Sequence, residues 1–372
     1  MAAPEPPALP LAGVQVLSLA QQYPGPYATL LLSDLGADVV LVERPDGGDP
    51  SRRYPEFFAA LNRGKRSVAL DLKDPDGRAA CRALALRSDV LLEGFRPGVA
   101  ARLGLDHEEL RSEHPGLVSV SISGFGQDGP YRDRPAHDLS FMALAGLLET
   151  PADGRAPAVP ALSLADLAAG LFGAIAALTG LAARGSSGRG GHYDVAMFDA
   201  LISLLTTLVV PPLNGGPAEG LGDDPGYGVY ATADREWLTL SIAFEDHFWR
   251  ALCGTTPALE PYAGVDASER AARSAELRAV LAQAIGRRPI AEWEALLGAA
   301  DVPHAAVRTP SAVADDPQVI ARQLLTSLPG GRQFVRQPLV VDGVTAGPRS
   351  DAPALGEHTQ AVLAELGAAT TR

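Results

Sequence analysis

The chain has 372 residues, of which 47% are hydrophobic and 20% are charged, so it is long enough for two domains and apolar enough to fold. Its formal net charge of −13 argues against a general nucleic-acid binder, which needs a broad basic surface. Cys81 and Cys253 are the only cysteines, too few for a disulfide framework or a cysteine-based zinc site, and no metal is expected. Because the N-terminus lacks the basic region of a signal peptide, we expect a cytoplasmic protein.

Strands and helices are predicted to alternate over the first third of the chain. Short apolar runs predict strands at 14–19, 37–43, 67–72, 89–93 and 117–123. Helical patterns lie between them at 28–35, 76–88 and 106–113. Since parallel strands need crossover connections, this alternation predicts an α/β fold with a parallel sheet. A ligand is expected beyond the carboxyl ends of the strands, where Gly- and Pro-rich loops such as AQQYPGPY and EGFRPG follow.

More helices are predicted at 138–148 and 164–183, and 192–210 is predicted to be a helix or a short strand leading into one. The segment 167–183 carries no charge and is near the lower length limit for a membrane span. It consists largely of Ala and Gly and is flanked by Asp166 and Arg184. We therefore predict a helix buried in the core and no membrane contact.

A linker and a smaller domain are predicted to follow a large domain at 1–210. Residues 211–226 (PPLNGGPAEGLGDDPG) break all periodicity and form the predicted linker. The small α/β domain is predicted at 227–332. Its strands are expected at 230–232 and 237–242, and its helices at 245–252, 269–285 and 289–300. Beyond it, strands are expected at 333–347 and a last helix at 356–366.

Basic residues concentrate between Arg44 and Arg66. This stretch has a local charge of +3 in a protein of −13. The cluster predicts a site for a phosphorylated ligand, although an ordinary solvated loop would have the same composition. The loop after the first predicted strand, QQYPGPY, has one glycine where the dinucleotide fingerprint G-x-G-x-x-G needs three, which argues against a nicotinamide enzyme. The sequence has neither a Walker A loop nor a G-x-S-x-G motif, which argues against a P-loop nucleotidase and a serine hydrolase.

Three residues are candidates for catalysis. His137 follows the Gly-rich loop SGFGQDGPY, but a single histidine is more often structural. Asp166 interrupts the apolar stretch ALSLADLAAGLF, either as a helix cap or as a buried acid with a shifted pKa. Glu245 follows a predicted strand and opens a helix, so capping is its simplest role.

Ten blocks of the sequence resemble, in order, those of the family III CoA-transferases, which include the α-methylacyl-CoA racemases. Among them are SDLGADVVLVERPDGGD, SDVLLEGFRPG, SGFGQDGPYRDRPAHD, SLADLAAG and LGEHTQAVLAELG. The resemblance runs from about residue 11 to 367. It implies a large Rossmann-like CoA-binding domain completed by residues 333–372, a smaller α/β domain, and an interlocked homodimer. The implied substrate is an acyl-CoA thioester, with no further cofactor.

The resemblance also implies which residues bind CoA. The family's contacts correspond to Arg44, Ala69, Leu70, Asp71, Leu72, Glu93, Gly94, Phe95 and Arg102. Guanidinium groups suit the phosphates of CoA because they hold phosphate oxygens in a fixed geometry. An apolar slot with backbone hydrogen bonds suits its adenine.

Two reactions are compatible with the resemblance. In racemases, His137 and Asp166 would exchange the α-proton on opposite faces, Glu245 would orient His137, and the backbone N–H of Asp138 would stabilise the enolate. In transferases, Asp166 would be the nucleophile and would carry an acyl group as an anhydride. The histidine favours a racemase acting on 2-methylacyl-CoA, with CoA transfer between carboxylic acids as the alternative. A non-catalytic acyl-CoA-binding protein is a third possibility, and the presence of Asp166 argues against it.

Overall fold

A computed structural model of the chain describes residues 9–148, 155–216 and 224–370. The chain divides into two units, one formed by residues 1–206 with 320–372 and the other by residues 207–319. The domain boundaries predicted from the sequence stay predictions. They place the large domain at 1–210, the linker at 211–226 and the small domain at 227–332.

The first unit is built around six parallel strands. They are β1 (Gln15–Ser18), β2 (Asp38–Glu43), β3 (Arg66–Ala69), β4 (Val90–Glu93), β5 (Val118–Ser123) and β6 (His192–Ala196). Their order in the sheet is β3-β2-β1-β4-β5-β6, and each neighbouring pair is parallel. This is the strand order of the Rossmann fold, so the predicted α/β fold with a Rossmann-like sheet is confirmed.

Helices cover both faces of this sheet. They are α1 (Pro24–Asp34), α2 (Pro55–Asn62), α3 (Pro75–Ala85), α4 (Val99–Arg102), α5 (His107–Glu113), α6 (Asp138–Leu144), α7 (Leu164–Ser187) and α8 (Met197–Leu204). Val16 and Val120 face a core formed with α1 and α7. Leu17 and Leu91 face the opposite core, which includes Cys81 of α3. Successive strand residues point to opposite faces, so both sets are apolar in a sheet covered on both sides.

The apolar helix α7 packs one face on α1 and on the sheet. A Cβ atom on Gly170 would lie 2.9 Å from the carbonyl oxygen of Pro24, so the two helices approach too closely for a side chain there. By length and composition α7 could cross a membrane, but half of its most apolar window is buried inside the chain. The prediction of a buried helix therefore holds for one face, whereas Leu171 and Ile175 remain 41% and 52% exposed.

The second unit has its own sheet and core. Its antiparallel strands are β7 (Tyr227–Ala231), β8 (Trp237–Ser241) and β9 (His304–Ala306). Helix α9 (Thr206–Leu213) leads into the unit and α14 (Pro317–Ala321) leads out of it. Between them lie α10 (Asp246–Cys253), α11 (Ala267–Ala272), α12 (Ser274–Ile285) and α13 (Ile290–Ala299). Buried Trp249 and Trp293 are the largest side chains of its core.

The last segment returns to the first unit. It forms two short antiparallel pairs, β10 (Leu325–Ser327) with β11 (Gln333–Val335) and β12 (Val340–Val341) with β13 (Val344–Thr345). Helix α15 (Thr359–Thr370) ends the chain. The N–H of Ala69 at the end of β3 donates to the Thr359 hydroxyl at 2.9 Å, which fixes this helix against the edge strand.

Several predicted elements need correction. The predicted helix at 269–285 is two helices, because the chain leaves helical geometry at Arg273. The segment 192–210 is a strand followed by helices, the second of its two predicted forms. Helices α2 and α4 lie outside the predicted elements. Pro55 is the first residue of α2, and Gly98 is the N-cap of α4.

Candidate active site

The cleft at the carboxyl ends of β1 and β4 holds Asp166 and His137. Strand order reverses between these two strands, which leaves a crevice because the loops that follow them run to opposite sides. The cleft has a volume of about 250 Å³. It is lined by Leu19, Ala20, Gln21, Gln22, Tyr23, Pro24, Gly25, Gly94, Phe95, Ile122, Ala136, His137, Phe141, Asp166 and Met197.

Asp166 is the third residue of α7 and not its N-cap. The N-cap is Ser163, whose side chain makes no capping hydrogen bond. Instead, Oδ1 of Asp138 accepts the backbone N–H groups of Ala165 at 2.7 Å and Asp166 at 3.2 Å. Because Asp138 caps the helix, the Asp166 carboxyl is not needed as a cap. The buried-acid interpretation of Asp166 is therefore the one that the geometry favours.

Burial, together with the smaller effect of the negative charge of Asp138, raises the pKa of Asp166 to about 7. The ordinary value of an aspartate is near 3.8. Near neutral pH this carboxyl is therefore present in both forms. A carboxyl with such a pKa can act as a nucleophile when ionised and as an acid when protonated.

His137 and Tyr23 share the cleft with Asp166. His137 is the exposed N-cap of α6, and its side chain makes no capping hydrogen bond. Tyr23 precedes α1, and its ring edge packs on Phe57 with centroids 5.3 Å apart. Burial raises the pKa of the Tyr23 phenol, and the nearby charge of Asp166 adds to this. The sequence did not single out Tyr23, although it lies in the Pro- and Gly-rich loop expected to face a ligand.

A second cleft adjoins the first and holds most of the residues predicted to bind CoA. Its volume is about 360 Å³, and Leu19, Gln21 and Phe95 line both clefts. Among its other lining residues are Arg44, Leu70, Asp71 and Leu72.

Glu93 orders the loop between the two clefts. Its carboxylate accepts the N–H of Phe95 at 2.6 Å, and burial raises its pKa. This hydrogen bond fixes the turn that brings Gly94 and Phe95 to the Asp166 cleft. Glu93 thus stabilises the loop at Gly94 and Phe95 without lining either cleft itself.

Ala69 and Arg102 are not brought to either cleft. Ala69 lies where α15 covers the end of β3. Arg102 is an exposed residue at the end of α4. The structure thus brings together only part of the predicted CoA contacts.

The basic cluster between Arg44 and Arg66 is largely occupied by internal pairs. The pairs are Arg52 with Glu43, Arg63 with Asp34, and Arg66 with Asp38 and Glu365. Lys65 is 2% exposed, and its Nζ donates to the Pro26 carbonyl and to Asn62; burial lowers its pKa to about 7. Within the stretch predicted to bind a phosphorylated ligand, Arg63 and Lys65 are therefore buried and bonded inside the protein. Arg44 remains exposed at the second cleft.

Two further predicted roles stay predictions. Asp138 is the first residue of α6, so its backbone N–H makes no hydrogen bond within that helix. The predicted oxyanion role requires such an N–H. Glu245 belongs to the second unit, where it is the N-cap of α10 and its Oε2 accepts the N–H of Ala243 at 3.1 Å.

Within the described ranges 9–148, 155–216 and 224–370, no group of three or more His, Cys, Asp or Glu side chains is arranged to hold a metal ion.

Comparison with known proteins gives consistent matches along the chain. A family model described as CoA-transferase family III matches residues 11–359. Acetyl-CoA:oxalate CoA-transferase of Acetobacter aceti is 33% identical over 98% of this chain and 98% of its own length. Succinate–glutarate CoA-transferase of Agrobacterium fabrum is 34% identical over 96% of each chain. The crystal structure of a CaiB/BaiF family protein from Brucella suis has a TM-score of 0.86 and 30% identity, covering 97% of this chain and 100% of that one.

Proposed function

The chain belongs to CoA-transferase family III, and we propose that it transfers CoA between two carboxylic acids through its Asp166 carboxylate. The observation that carries the proposal is the placement of Asp166 in a cleft that adjoins the Arg44 cleft. In this arrangement a thioester bound along Arg44 and Phe95 extends toward a carboxylate nucleophile. The two relatives compared above are named as CoA-transferases, which also favours transfer over racemisation.

The first half of the reaction removes the donor acid from CoA. The ionised Asp166 oxygen attacks the thioester carbonyl carbon, a C–O bond forms, the C–S bond breaks, and CoA leaves as its thiolate. The thiolate then attacks the carbonyl carbon of Asp166 in the resulting mixed anhydride. The donor acid leaves as a carboxylate that carries one oxygen from Asp166, and Asp166 now holds CoA as a thioester.

The second half reverses these steps with the acceptor acid. The acceptor carboxylate attacks the carbonyl carbon of Asp166 and displaces the thiolate, which gives a second mixed anhydride. The thiolate attacks the acyl carbon of the acceptor, the new thioester forms, and Asp166 leaves as a free carboxylate. No proton is consumed, and one oxygen of the acceptor stays on Asp166.

A pKa near 7 suits this role. Asp166 must be ionised to attack, and a carboxylate held in a buried cleft is less solvated and therefore a stronger nucleophile than one in water. Arg44 provides a guanidinium group at the second cleft for the CoA phosphates. The apolar walls of that cleft, which include Leu70 and Phe95, suit the adenine or the pantetheine arm.

Racemisation of 2-methylacyl-CoA is a second candidate. The observation that favours it is His137 in the same cleft as Asp166, which would supply a second acid–base group. The sequence alone ranked this reaction first, and the transferase relatives reverse that order.

Oxygen-18 labelling tests the proposal. The protein is incubated with acetyl-CoA or succinyl-CoA and with oxalate or glutarate labelled in its carboxylates, since acetyl-CoA, oxalate, succinate and glutarate appear in the names of the relatives. We expect a new thioester and, after a single turnover, one heavy oxygen in the peptide that contains Asp166. The Asp166→Asn variant is the control and should form neither.

Two results would contradict the proposal. One is a new thioester without label on Asp166, which would mean direct transfer. The other is deuterium at the α-carbon of a 2-methylacyl-CoA in D₂O with no new thioester from any pair, which would mean racemisation.

A further inference from the structure

The loop that enters the Asp166 cleft contains a residue in a conformation that side chains disfavour. Gln22 has φ = 68°, in the left-handed region that glycine and, less often, asparagine adopt. It lies between Gln21 and Tyr23, and all three line the cleft. Such a conformation persists when neighbouring groups hold it, and it is found preferentially at functional sites.

Asp49 is the group that holds this residue. Its carboxylate accepts the backbone N–H of Gln22, at 3.0 Å to Oδ2 and 3.3 Å to Oδ1. The same Oδ1 accepts the N–H and the hydroxyl of Ser51, both at 2.7 Å. Asp49 is fully buried, and it does not line the cleft.

Asp49 is itself fixed by a buried network. Its N–H donates to Glu43 at 2.9 Å, and Glu43 also accepts two hydrogen bonds from Arg52 and one from Ser67. Burial alone would raise the pKa of Glu43, but these donors bring it below its ordinary value, so the carboxylate stays charged. A Cβ atom on Gly48 would lie 2.6 Å from Glu43, so the tight turn before Asp49 also requires glycine.

We propose that Asp49 is a positioning residue for the reaction at Asp166, acting through the backbone of Gln22. It holds the chain in the left-handed turn that presents Gln21, Gln22 and Tyr23 to the cleft. The expected loss of kcat rests on the proposed function. The expected change in hydrogen exchange at Gln22 can be measured without any reaction.

The Asp49→Asn variant removes one acceptor without changing size. Whichever way the amide is turned, its NH₂ group faces either the N–H of Gln22 or the N–H of Ser51. When the NH₂ group faces Gln22, the Gln22 N–H keeps only its longer contact of 3.3 Å to Oδ1, and when it faces Ser51, the Ser51 N–H loses its acceptor. The variant therefore releases Gln22 or loosens the turn that holds it.

Amide hydrogen exchange is the first measurement. In the wild-type protein we expect the Gln22 N–H to be protected, and in Asp49→Asn we expect it to exchange at least ten-fold faster. The N–H of Gln15, which donates to Asp89, is the internal control and should not change. Equal protection of Gln22 in both proteins overturns the proposal. If Asp49→Asn does not fold, a wild-type Gln22 N–H that exchanges as fast as an unbonded loop amide also overturns it.

Steady-state CoA transfer is the second measurement. For Asp49→Asn we expect kcat to fall by about ten- to a hundred-fold, because small displacements of cleft residues are costly, with KM for acyl-CoA within about three-fold. Ser51→Ala, which removes a neighbouring hydrogen bond to the same carboxylate, should keep kcat within two-fold. A folded Asp49→Asn with unchanged kcat overturns the proposal. A wild-type protein that transfers no CoA refutes the proposed function instead, and the exchange result still decides the role of Asp49.

The Gln22→Gly variant distinguishes a positioning role of Asp49 from a general effect of Asp49 on stability. Glycine adopts a positive φ without strain, so it keeps the turn when the hydrogen bond is lost. In the Gln22→Gly background, the loss of kcat caused by Asp49→Asn should be at least five-fold smaller than in the wild-type background. An equal loss in both backgrounds means that Asp49 does not act through Gln22.

Discussion

The carboxylate of Asp138 accepts the backbone N–H of Asp166, the residue whose own carboxyl lines the cleft. Asp138 therefore has two effects on Asp166. As a cap it fixes the first turn of α7, and as a negative charge it helps to raise the pKa of the neighbouring carboxyl. The two effects can be separated, because an amide oxygen can cap a helix but carries no charge.

Asp138→Asn should shift the pH dependence of the reaction. Its Oδ1 can still accept the N–H groups of Ala165 and Asp166, while the negative charge is lost. The pKa of Asp166 then falls, and the rising part of the kcat/KM profile moves to lower pH than in the wild type. Asp138→Ala is the comparison, since it also loses the cap, which costs about 0.5–2 kcal/mol of stability. A profile that does not move in Asp138→Asn would show that burial alone sets the pKa.

Asp166 should also make the stability of the protein depend on pH. Its pKa is raised by folding, so the folded state binds the proton more tightly than the unfolded state does. Proton binding at Asp166 therefore stabilises the folded state fully at pH values below the pKa of the unfolded state, near 3.8. This stabilisation is lost as the pH rises through about 7. The stability gain of Asp166→Asn over the wild type should therefore grow between pH 4 and pH 8, by at most about 4 kcal/mol at about 1.4 kcal/mol per pKa unit.

Urea unfolding at both pH values measures this difference. Asp133→Asn, a change at an exposed carboxylate, corrects for general effects of removing a charge. A difference between Asp166→Asn and the wild type that does not vary with pH would mean that folding leaves the pKa of Asp166 where it was.

Local patterns predicted the sheet and the general position of the site. β1, β2, β4 and β5 are short apolar runs, and parallel pairing follows from the helices between them. Asp166 stood out because it interrupts an apolar stretch, and the loops at the strand ends were expected to face a ligand. Each of these patterns is local, because the residues that form it are within a few positions of the strand, side chain or loop that it predicts.

Contacts between distant residues could not be predicted in the same way. The charge excess near residue 50 indicated a phosphate site, but Arg63 pairs with Asp34, 29 residues earlier in the chain. Asp49 acts on Gln22 across 27 residues. The cap of α7 comes from Asp138, on another helix. Each pairing depends on how the elements pack, which the composition of one segment does not determine.

Arg44→Ala should weaken CoA binding. Arg44 is the exposed guanidinium group of the second cleft, and a charge-assisted hydrogen bond contributes about 1.5–3 kcal/mol. We expect the dissociation constant for CoA to rise at least ten-fold in a calorimetric titration, since about 1.4 kcal/mol corresponds to ten-fold. Arg53→Ala is the matched control, because Arg53 is nearby and exposed but lines neither cleft. Equal effects of the two changes would exclude a specific contact at Arg44.

The homodimer expected from the sequence stays a prediction, and we propose that the exposed face of α7 forms part of it. Leu171 and Ile175 are exposed there, beside an apolar groove of about 390 Å³ that includes Phe172. We expect the wild type to sediment as a dimer at micromolar concentration and Ile175→Asp to sediment as a monomer, because a buried unpaired charge is costly. Val335→Asp, at another exposed apolar position, should leave the dimer intact. A wild-type monomer would contradict this.

His137 distinguishes the two candidate reactions. CoA transfer by the steps above uses the Asp166 carboxylate and the CoA thiolate and moves no proton, so His137 has no required chemical role in it. His137→Gln should keep CoA transfer within about ten-fold of the wild type, because its side chain is exposed and makes no capping hydrogen bond. A racemase would lose about 10²–10⁴-fold in activity with the same change, since general acid–base groups contribute that much. Both activities are measured on the same preparations, by thioester formation and by α-deuterium exchange in D₂O. If His137→Gln abolishes α-exchange that the wild type catalyses, while neither protein forms a new thioester, then His137 is an acid–base residue and the transferase proposal is wrong.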